Sequence, residues 1–429
     1  MKIVKLSFTF LACAFVASCS NDVTPVSEEG ASTSEVLSEK RTFEEALQIA
    51  KSSISMIEED EGMTRGGQGG RTIDLDRSRV VGSGATRVDG TTDTLFYVFN
   101  FTDEQGFVVV SANKATEGLL AVTEKDSYDN SLNENGGFAE YMEMAKGYVA
   151  AARIKPPLIP VIEEHVTAIY TVGPYVSVKW GQAFPEGTFC PNTIAGCVNV
   201  AIAQIMSCFK YPSQIALTYP NADSTSVNLE WNSMLAHNVS YSHLVEDECS
   251  ADYMNAHSDI AHLCRQVAHL TNSVFHPAEA NFNYNLTNYQ RLSGASTGSN
   301  IYWAKTALQS LGYTTGSITS YSNQCTSIPL NSHHLIYMRG EQGDTLGHAW
   351  MVDGYKEYII HVISRLTEPT TEYDRTEYYN HINWGWRGSG NGYFLDNVFN
   401  VQKGKIYDQT GTKPNYNFNY DVKYFEIYR

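Results

Sequence analysis

The sequence predicts an α+β protein in which a small N-terminal domain precedes a larger domain of roughly 270 residues. Three observations support this fold class. The chain has 429 residues, more than one compact core normally holds. Segments rich in aromatic and β-branched residues alternate with segments whose apolar residues have helical spacing. Prolines between positions 152 and 165 mark the boundary between the two domains.

The first residues have the features of an export signal. Two lysines precede an apolar stretch over residues 6–16, which is too short for a stable membrane-spanning helix. The stretch ends in VASC, which resembles the site at which bacterial lipoproteins are cleaved and lipidated. We expect residues 1–18 to be a lipoprotein-type signal and Cys19 to carry the lipid, with ordinary secretory cleavage as the alternative. Residues 19–40 are rich in Ser, Thr and Glu and predict a flexible tether.

The N-terminal domain is predicted to combine helices with a pair of strands. Thr42 and Glu45 have the spacing of a capping box, so a short amphipathic helix is expected to begin there. Residues 95–101 and 106–111 are predicted as neighbouring strands joined by the polar turn TDEQG. A further helix is expected near 136–152.

Two stretches are predicted to be accessible to trypsin-like proteases. The Gly-rich segment at residues 63–72 contains Arg65 and Arg71. The Pro-rich junction lies next to Arg153 and Lys155.

Cys197 stands where a helix is predicted to begin, in the sequence IAGCVNVAIAQIMSCF. Apolar residues with helical spacing follow it, and Tyr211-Pro212 ends the pattern. The unpaired N–H groups and the dipole at a helix N-terminus favour a thiolate, so the thiol is expected to be acidic and nucleophilic. A packing cysteine in a core helix is the alternative interpretation.

Two later stretches supply the partners that a thiolate nucleophile needs. His348, in LGHAWMVDGY, precedes an apolar segment and is predicted to lie at the start of a buried strand. Asn383 ends the next predicted strand and is followed by a Gly-rich turn. A cysteine nucleophile needs a base, and the base needs an orienting group, which these residue types can provide.

Taken together, these motifs resemble the streptopain family of papain-fold bacterial cysteine proteases. The resemblance rests on WGQ, GCVNVAIAQIM, GHAWMVDGY and NWGWRGSGNGYF, and it covers most of residues 170–400. It extends to FYVFNFTDEQGFVVVSANKATEGLLAVT, which is similar to the pro-domain of that family. The resemblance implies an inhibitory pro-domain over residues 41–155. It also implies a papain-like catalytic domain over residues 156–429, with a helical part carrying the nucleophile and an antiparallel β part carrying His and Asn.

The same resemblance assigns roles to five residues. Cys197 matches the nucleophile, and His348 matches the general base that later acts as an acid. Asn383 matches the residue that orients the imidazole, with Trp384 shielding their hydrogen bond from water. Gln182 matches the glutamine of the oxyanion hole.

Substrate-binding positions are implied at Ile194, Ser293, Gly294 and Gly347. The sequence departs from the family upstream of residue 292, which leaves the wall of the substrate pocket open. It also contains a longer connection between the His and Asn strands, predicted as an extended hairpin that turns near Pro369.

Composition restricts the partners of the protein. The formal net charge of −17, with no basic patch visible in the sequence, argues against nucleic acid as a partner. There is no CxxC pair, and neither a metal nor another cofactor is implied. The expected partners are protein or peptide substrates and the chain's own pro-domain, with a membrane contacted only through the lipid anchor. A papain-fold acyl-transferase or amidase and a non-catalytic surface binding protein remain alternatives to the endopeptidase, and disulfide pairing is left open.

Overall fold

The computed structural model describes most of the chain. The described residues are 8–9, 40–58, 70–86, 92–129, 132, 136–152, 161–236, 251–276, 295–342, 346–364, 370–400, 404–407, 414–418 and 421–429. Among them, no helix combines the length and apolar character that crossing a bilayer requires. Of the predicted signal, only residues 8–9 are described, and they form a short strand. Cys19 and most of the tether lie outside the described residues.

Helices and antiparallel strands are both well represented, which confirms the predicted α+β class. The described helices are α1 (Phe43–Ser53), α2 (Ser55–Glu58), α3 (Gly136–Ala152), α4 (Cys197–Phe209), α5 (Trp231–Ala236), α6 (Ala251–Leu270), α7 (Ile301–Ser310) and α8 (Ser327–Asn331). Short 3₁₀ turns cover Thr102–Glu104 and Asp396–Phe399.

The strands of the described residues form one large sheet and three small ones. The strands are β1 (Phe8–Thr9), β2 (Ile73–Thr86), β3 (Thr92–Phe101), β4 (Phe107–Ser111), β5 (Leu119–Thr123), β6 (Val161–Val172), β7 (Gln214–Ala216), β8 (Ser226–Asn228), β9 (Val274–His276), β10 (Ser296–Gly298), β11 (Thr314–Thr315), β12 (Thr319–Ser320), β13 (Leu335–Gln342), β14 (Leu346–Ser364), β15 (Thr371–Asn383), β16 (Gly392–Leu395), β17 (Gly404–Tyr407), β18 (Pro414–Phe418) and β19 (Lys423–Tyr428). The main path of the large sheet runs β11-β19-β13-β14-β15-β16-β5-β4-β3-β2. Strand β6 pairs with β1 and β14, β12 pairs with β19, and β7/β8, β9/β10 and β17/β18 form separate pairs.

The predicted elements of the N-terminal domain are all present. Helix α1 begins with a complete capping box, in which Thr42 and Glu45 exchange side-chain to backbone hydrogen bonds. Strands β3 and β4 pair in antiparallel register, and helix α3 covers the residues predicted for it. Local signals therefore determine these elements.

Strand β5 of the N-terminal domain pairs directly with β16 of the C-terminal part. Three residue pairs make this contact, which makes the two sheets continuous. Gly392 has a φ of 153°, and a Cβ on it would overlap the carbonyl oxygen of Val122. Only a glycine lets the two backbones approach so closely.

The predicted extended hairpin is formed by β14 and β15, which pair from Met351↔Asn383 out to Ser364↔Thr371. Its turn, including Pro369, lies outside the described residues. The structure also contains a strand that was not predicted. Strand β6 begins at Val161, within the Pro-rich segment that was predicted to be the domain boundary. This strand pairs along the outer half of β14, from Tyr355↔Val172 to Ser364↔Val161.

The two faces of the central sheet carry different cores. Residues 337, 349 and 351 pack with α4, α6 and α7 in one buried cluster. The alternating residues 336, 338, 350 and 352 pack with α3 and the N-terminal domain in the other. Because successive side chains of a strand point to opposite faces, α4 and α3 lie on opposite faces of β13 and β14.

Candidate active site

Cys197 is the first residue of α4, as predicted. Its neighbour Gly196 is the N-cap and has a φ of 90°, which an L side chain rarely adopts. A Cβ on Gly196 would lie 2.8 Å from the carbonyl oxygen of Thr297. The glycine therefore allows both the turn into the helix and the close packing against β10.

The surroundings of Cys197 favour the thiolate. Burial by itself raises the pKa of the thiol, but the charge and hydrogen bond of His348 outweigh it. Backbone N–H groups of Ala349 and Val198 also hydrogen-bond to the sulfur, and together these contacts lower the pKa of Cys197 to about 7. Val198 belongs to the first turn of α4, so the helix N-terminus contributes directly.

His348 lies near the start of β14 and is buried, with 6% of its surface exposed. Its Nε2 donates to the backbone carbonyl of Trp384 at 3.1 Å, which leaves Nδ1 free to face a partner on its other side. Burial lowers the pKa of the imidazole, but interactions with Cys197, Glu140 and the Trp384 carbonyl prevail and raise it. A depressed thiol pKa beside a raised imidazole pKa is the signature of a thiolate–imidazolium pair.

The side chain of Asn383 does not orient the imidazole in this structure. Its Nδ2 donates to the carbonyl of Val178 at 2.8 Å, and its Oδ1 accepts from Gln204 at 3.0 Å and from the Gly385 N–H at 3.1 Å. The predicted hydrogen bond from Asn383 to the imidazole is therefore wrong. The backbone carbonyl of the next residue, Trp384, accepts from His348 instead. Asn383 instead ties the end of β15 to α4 and to the segment before Trp180.

Trp384 is completely buried. Its indole N–H donates to the carbonyl of Gly390 at 3.1 Å, and its ring centroid lies 5.1 Å from that of Trp350. These contacts fix the residue whose carbonyl holds His348. Trp350 and Trp386 also flank the imidazole, each with its ring centroid 6.4 Å away.

Gln182 is partly exposed and lies on a loop anchored beside the start of α4. Its backbone carbonyl accepts from the N–H of Ala195 at 2.7 Å, two residues before Cys197. Gln182 therefore lies close to the start of α4, which is where a hydrogen-bond donor to an oxyanion at Cys197 would have to lie.

The N-terminus of α3 packs on His348, a contact the sequence did not reveal. A Cβ on Gly136 would lie 3.1 Å from Nδ1 of His348. A Cβ on Gly137 would lie 3.0 Å from Nε2 and would overlap Cδ2 of His348 and Cε3 of Trp384. The backbone of the N-terminal domain thus lies directly on the imidazole.

Glu140 brings a carboxyl group from the same helix to the site. Its Oε2 is buried and has no hydrogen-bond partner among the described residues, and a Cβ on Gly340 would lie 2.9 Å from it. Burial raises the pKa of this carboxyl to about 8. The charges facing it are His348 and Arg339, which lower the pKa, and Cys197 and Glu341, which raise it.

The predicted substrate-binding residues differ in their exposure, and two of the four are not described. Ile194 is buried, and its carbonyl accepts from the Thr297 hydroxyl at 2.7 Å, whereas Gly347 is exposed beside His348. Ser293 and Gly294 lie outside the described residues.

Arg71 is not an exposed cleavage site in this fold. It is 8% exposed, and its guanidinium donates to the carbonyls of Gln105 at 2.8 Å and Glu124 at 3.1 Å. A Gly-rich neighbourhood predicts exposure, but these long-range contacts bury the side chain. The other predicted cleavage residues, Arg65, Arg153 and Lys155, lie outside the described residues.

The described part of the chain contains five free cysteines and no group of three metal-ligating side chains. The free cysteines are Cys190, Cys197, Cys208, Cys264 and Cys325. Of these, Cys197 alone has a lowered pKa, whereas burial raises the pKa of Cys208 and of Cys325 to about 11.

Comparison with known protein families identifies both halves of the chain. The sequence model of the Peptidase C10 family matches residues 178–394, slightly more than half of the chain, and this stretch contains the whole cysteine–histidine site. The chain belongs to the Peptidase C10 family. The model described as Spi protease inhibitor matches residues 25–149, which include α3. The protein is therefore a cysteine peptidase with an inhibitor-type domain at its N-terminus.

Two relatives agree with this assignment in sequence, and one solved structure aligns with the chain. Streptopain of Streptococcus pyogenes is 24% identical over 377 residues, which are 81% of this chain and 84% of streptopain. The thiol protease/hemagglutinin PrtT of Porphyromonas gingivalis is 22% identical over 335 residues, so 72% of this chain spans 34% of PrtT. A fragment of prointerpain A of Prevotella intermedia aligns over 83% of this chain and 98% of its own, with 18% identity and a TM-score of 0.48. Of the functions left open by the sequence, family membership supports the peptidase.

Substituting Gly137→Ala should expose Cys197 in the uncut chain. The added methyl group overlaps two buried rings, so the contact between α3 and His348 must loosen, although alanine favours the helix itself. We expect at least about tenfold faster alkylation of Cys197 by iodoacetamide, followed by peptide mass spectrometry, which corresponds to roughly 1.4 kcal/mol. Gly298→Ala is the control, since a Cβ there meets nothing within 4 Å. Unchanged alkylation of the Gly137→Ala chain would show that α3 does not cover the site.

Glu140 should make opening of the site depend on pH. A carboxyl whose pKa rises from 4.5 to about 8 on docking stabilises the docked state at low pH, and this stabilisation is lost as the pH rises towards 8. Cys197 in wild-type and Glu140→Gln chains should therefore react equally with dipyridyl disulfide near pH 4. Above that pH the Glu140→Gln chain should fall behind by up to about tenfold per pH unit.

Glu143→Gln is the matched control for this comparison. Glu143 lies on the same helix with 47% of its side chain exposed, and it pairs with Lys146. Its variant should follow the wild type at every pH. A pH-independent ratio between Glu140→Gln and wild type would contradict the role of Glu140.

Proposed function

We propose that this protein is a bacterial cysteine endopeptidase made as a self-inhibited zymogen. The observation that carries the proposal is the contact of Gly136 and Gly137, in the inhibitor-type domain, with the imidazole of His348. A substrate carbonyl must approach Cys197 and His348 together, and a helix packed on the imidazole competes for that space. Because the inhibitor is part of the same chain, its high effective concentration keeps the site closed even at modest affinity.

The proposed reaction begins with attack of the Cys197 thiolate on the carbonyl carbon of the peptide bond. The negative charge that develops on the carbonyl oxygen is held by the Cys197 N–H and the Gln182 side-chain amide. His348 as imidazolium protonates the leaving amine, which breaks the C–N bond and leaves a thioester on Cys197. Neutral His348 then takes a proton from water, and the resulting attack releases the carboxylic acid and restores the thiolate–imidazolium pair.

The Trp384 carbonyl has a defined part in this cycle. It accepts from Nε2 of His348, which keeps the ring from turning and leaves Nδ1 to exchange the proton with sulfur, amine and water. The contact also favours the charged imidazole, which raises the pKa of His348 in the same direction as the Cys197 thiolate does. Orientation and charge stabilisation therefore come from one backbone group.

Maturation follows from the proposed domain arrangement. Residues 41–155 act as the inhibitory pro-domain and residues 156–429 as the catalytic domain, with cleavage near Arg153 and Lys155. Strand β6 pairs with β14, which supports its retention by the catalytic domain after such a cut.

The proposed location is outside the cytoplasm. Residues 1–18 act as an export signal, and Cys19 carries the lipid that anchors the precursor at the outer membrane or cell surface. Cleavage near Arg153 would separate the catalytic domain from this anchor, so the mature enzyme can be released. Protein or peptide substrates are thus met outside the cell that makes the enzyme.

Limited trypsin should activate the full chain. Peptidase activity is expected to appear as a C-terminal species of about 30 kDa accumulates, the size that a boundary at the junction gives. The Arg153→Gln/Lys155→Gln double variant is the control and should remain latent under the same treatment. Full activity of the uncut precursor, or loss of activity on cutting at the junction, would rule out latency.

Cys197→Ala should abolish peptide hydrolysis without loss of the fold. Cys208→Ala is the matched control, because Cys208 lies on the same helix but burial raises the pKa of its thiol to about 11. Activity on a fluorogenic peptide and the melting temperature are measured for both. The nucleophile would have to be reassigned if Cys197→Ala kept thiol-inhibitor-sensitive activity or if Cys208→Ala lost it.

A further inference from the structure

Glu186 is a buried carboxylate on the loop that carries Gln182. It is 2% exposed, and its Oε1 accepts from the backbone N–H of Gly181 at 2.8 Å. Burying a carboxylate is costly, so the contacts that compensate for it indicate what it holds in place.

Three consecutive residues of this loop, Trp180 to Gln182, are each held by a hydrogen bond of their backbone. The carbonyl of Trp180 accepts from Gln204 at 3.2 Å, the N–H of Gly181 is bound by Glu186, and the carbonyl of Gln182 accepts from Ala195. Glu186 supplies the carboxyl oxygen that accepts in this set. Without it, the N–H group next to Gln182 would lose its acceptor in a buried place.

Arg387 connects this loop to the turn that orients the histidine. Its Nη2 lies 3.4 Å from Oε2 of Glu186, and its backbone N–H donates to the carbonyl of Trp180 at 3.3 Å. A Cβ on Gly181 would lie 2.8 Å from Cγ of Arg387, so the arginine stem packs directly on the loop. Arg387 stands three residues after Trp384, whose carbonyl holds His348.

We propose that Glu186 is a positioning residue, which acts through Gln182 by fixing the oxyanion loop against the Arg387 turn. The inference rests on the proposed role of Gln182 as an oxyanion donor. It predicts that Glu186 matters where negative charge develops on the substrate oxygen, and not where the thiolate simply reacts with an alkylating agent.

The test is a double-variant cycle made in the full chain, with every sample matured by the same limited trypsin step and normalised by active-site titration. Glu186→Ala should lower kcat about tenfold to hundredfold with KM within about twofold. Glu186→Gln keeps an acceptor for Gly181 and should lose less. In a Gln182→Ala background, Glu186→Ala should change kcat by less than about twofold, because the residue through which it acts is already gone.

Alkylation of Cys197 separates positioning from general damage. It does not use the oxyanion hole, so its rate and pH profile should match wild type in the Glu186 variants. Asp396→Asn is the control: Asp396 is another 2%-exposed carboxylate, bonded to Tyr321, Asn380 and the Gln324 N–H. It should lower the melting temperature and leave kcat unchanged.

The outcomes distinguish this inference from the proposed function. The positioning role of Glu186 would be overturned if Glu186→Ala left kcat unchanged, or if the kcat losses of the two single variants multiplied in the double variant. Neither result would affect the proposed role of Gln182 as an oxyanion donor. Parallel losses of kcat, alkylation rate and melting temperature would show a structural role only. If Gln182→Ala itself retains kcat, the oxyanion assignment fails instead.

Discussion

The pairing of β5 with β16 determines where the N-terminal domain lies. Three residue pairs, Gly392↔Thr123, Tyr393↔Val122 and Phe394↔Ala121, turn two sheets into one. The backbone N–H of Glu124 extends the contact by donating to the carbonyl of Asn391 at 2.8 Å. Because a shift by one residue would invert every side chain of β5, this register is strongly specified. The position of α3 over the active site follows from it.

Helix α3 is held by apolar contacts that involve both parts of the chain. Phe138 packs on Phe107 and Phe394, with ring centroids 5.5 and 6.3 Å away, and Tyr141 lies 4.8 Å from Phe394. Each buried aromatic side chain contributes about 2–3 kcal/mol. Ionisation of Glu140 opposes this by up to about 1.4 kcal/mol per pH unit. The aromatic contacts therefore create the docking, and the carboxyl group tunes it.

The features predicted correctly from the sequence depend on neighbouring residues. The capping box of α1 and the start of α4 at Cys197 each depend on three or four consecutive residues. The pairing of Cys197 with His348 was predicted from family motifs. The Trp384 carbonyl, which holds His348, was not predicted because every residue has a backbone carbonyl and the sequence does not show which one is used. Glu140 and the burial of Arg71 depend on contacts between distant segments. Strand β6 was hidden because it is stabilised by β14, almost 200 residues later.

In the proposed mature enzyme, removal of the N-terminal domain takes β5 away from β16. Strand β16 then becomes an outer strand whose backbone groups could template association with another chain. It is only four residues long, and His381 lies opposite Tyr393 on its remaining neighbour. Lys356, buried in the precursor against the carbonyl of Met56, lies over the Tyr393 ring at 4.8 Å. A strand of four residues offers few unpaired backbone groups, so its shortness limits association of this edge with another chain.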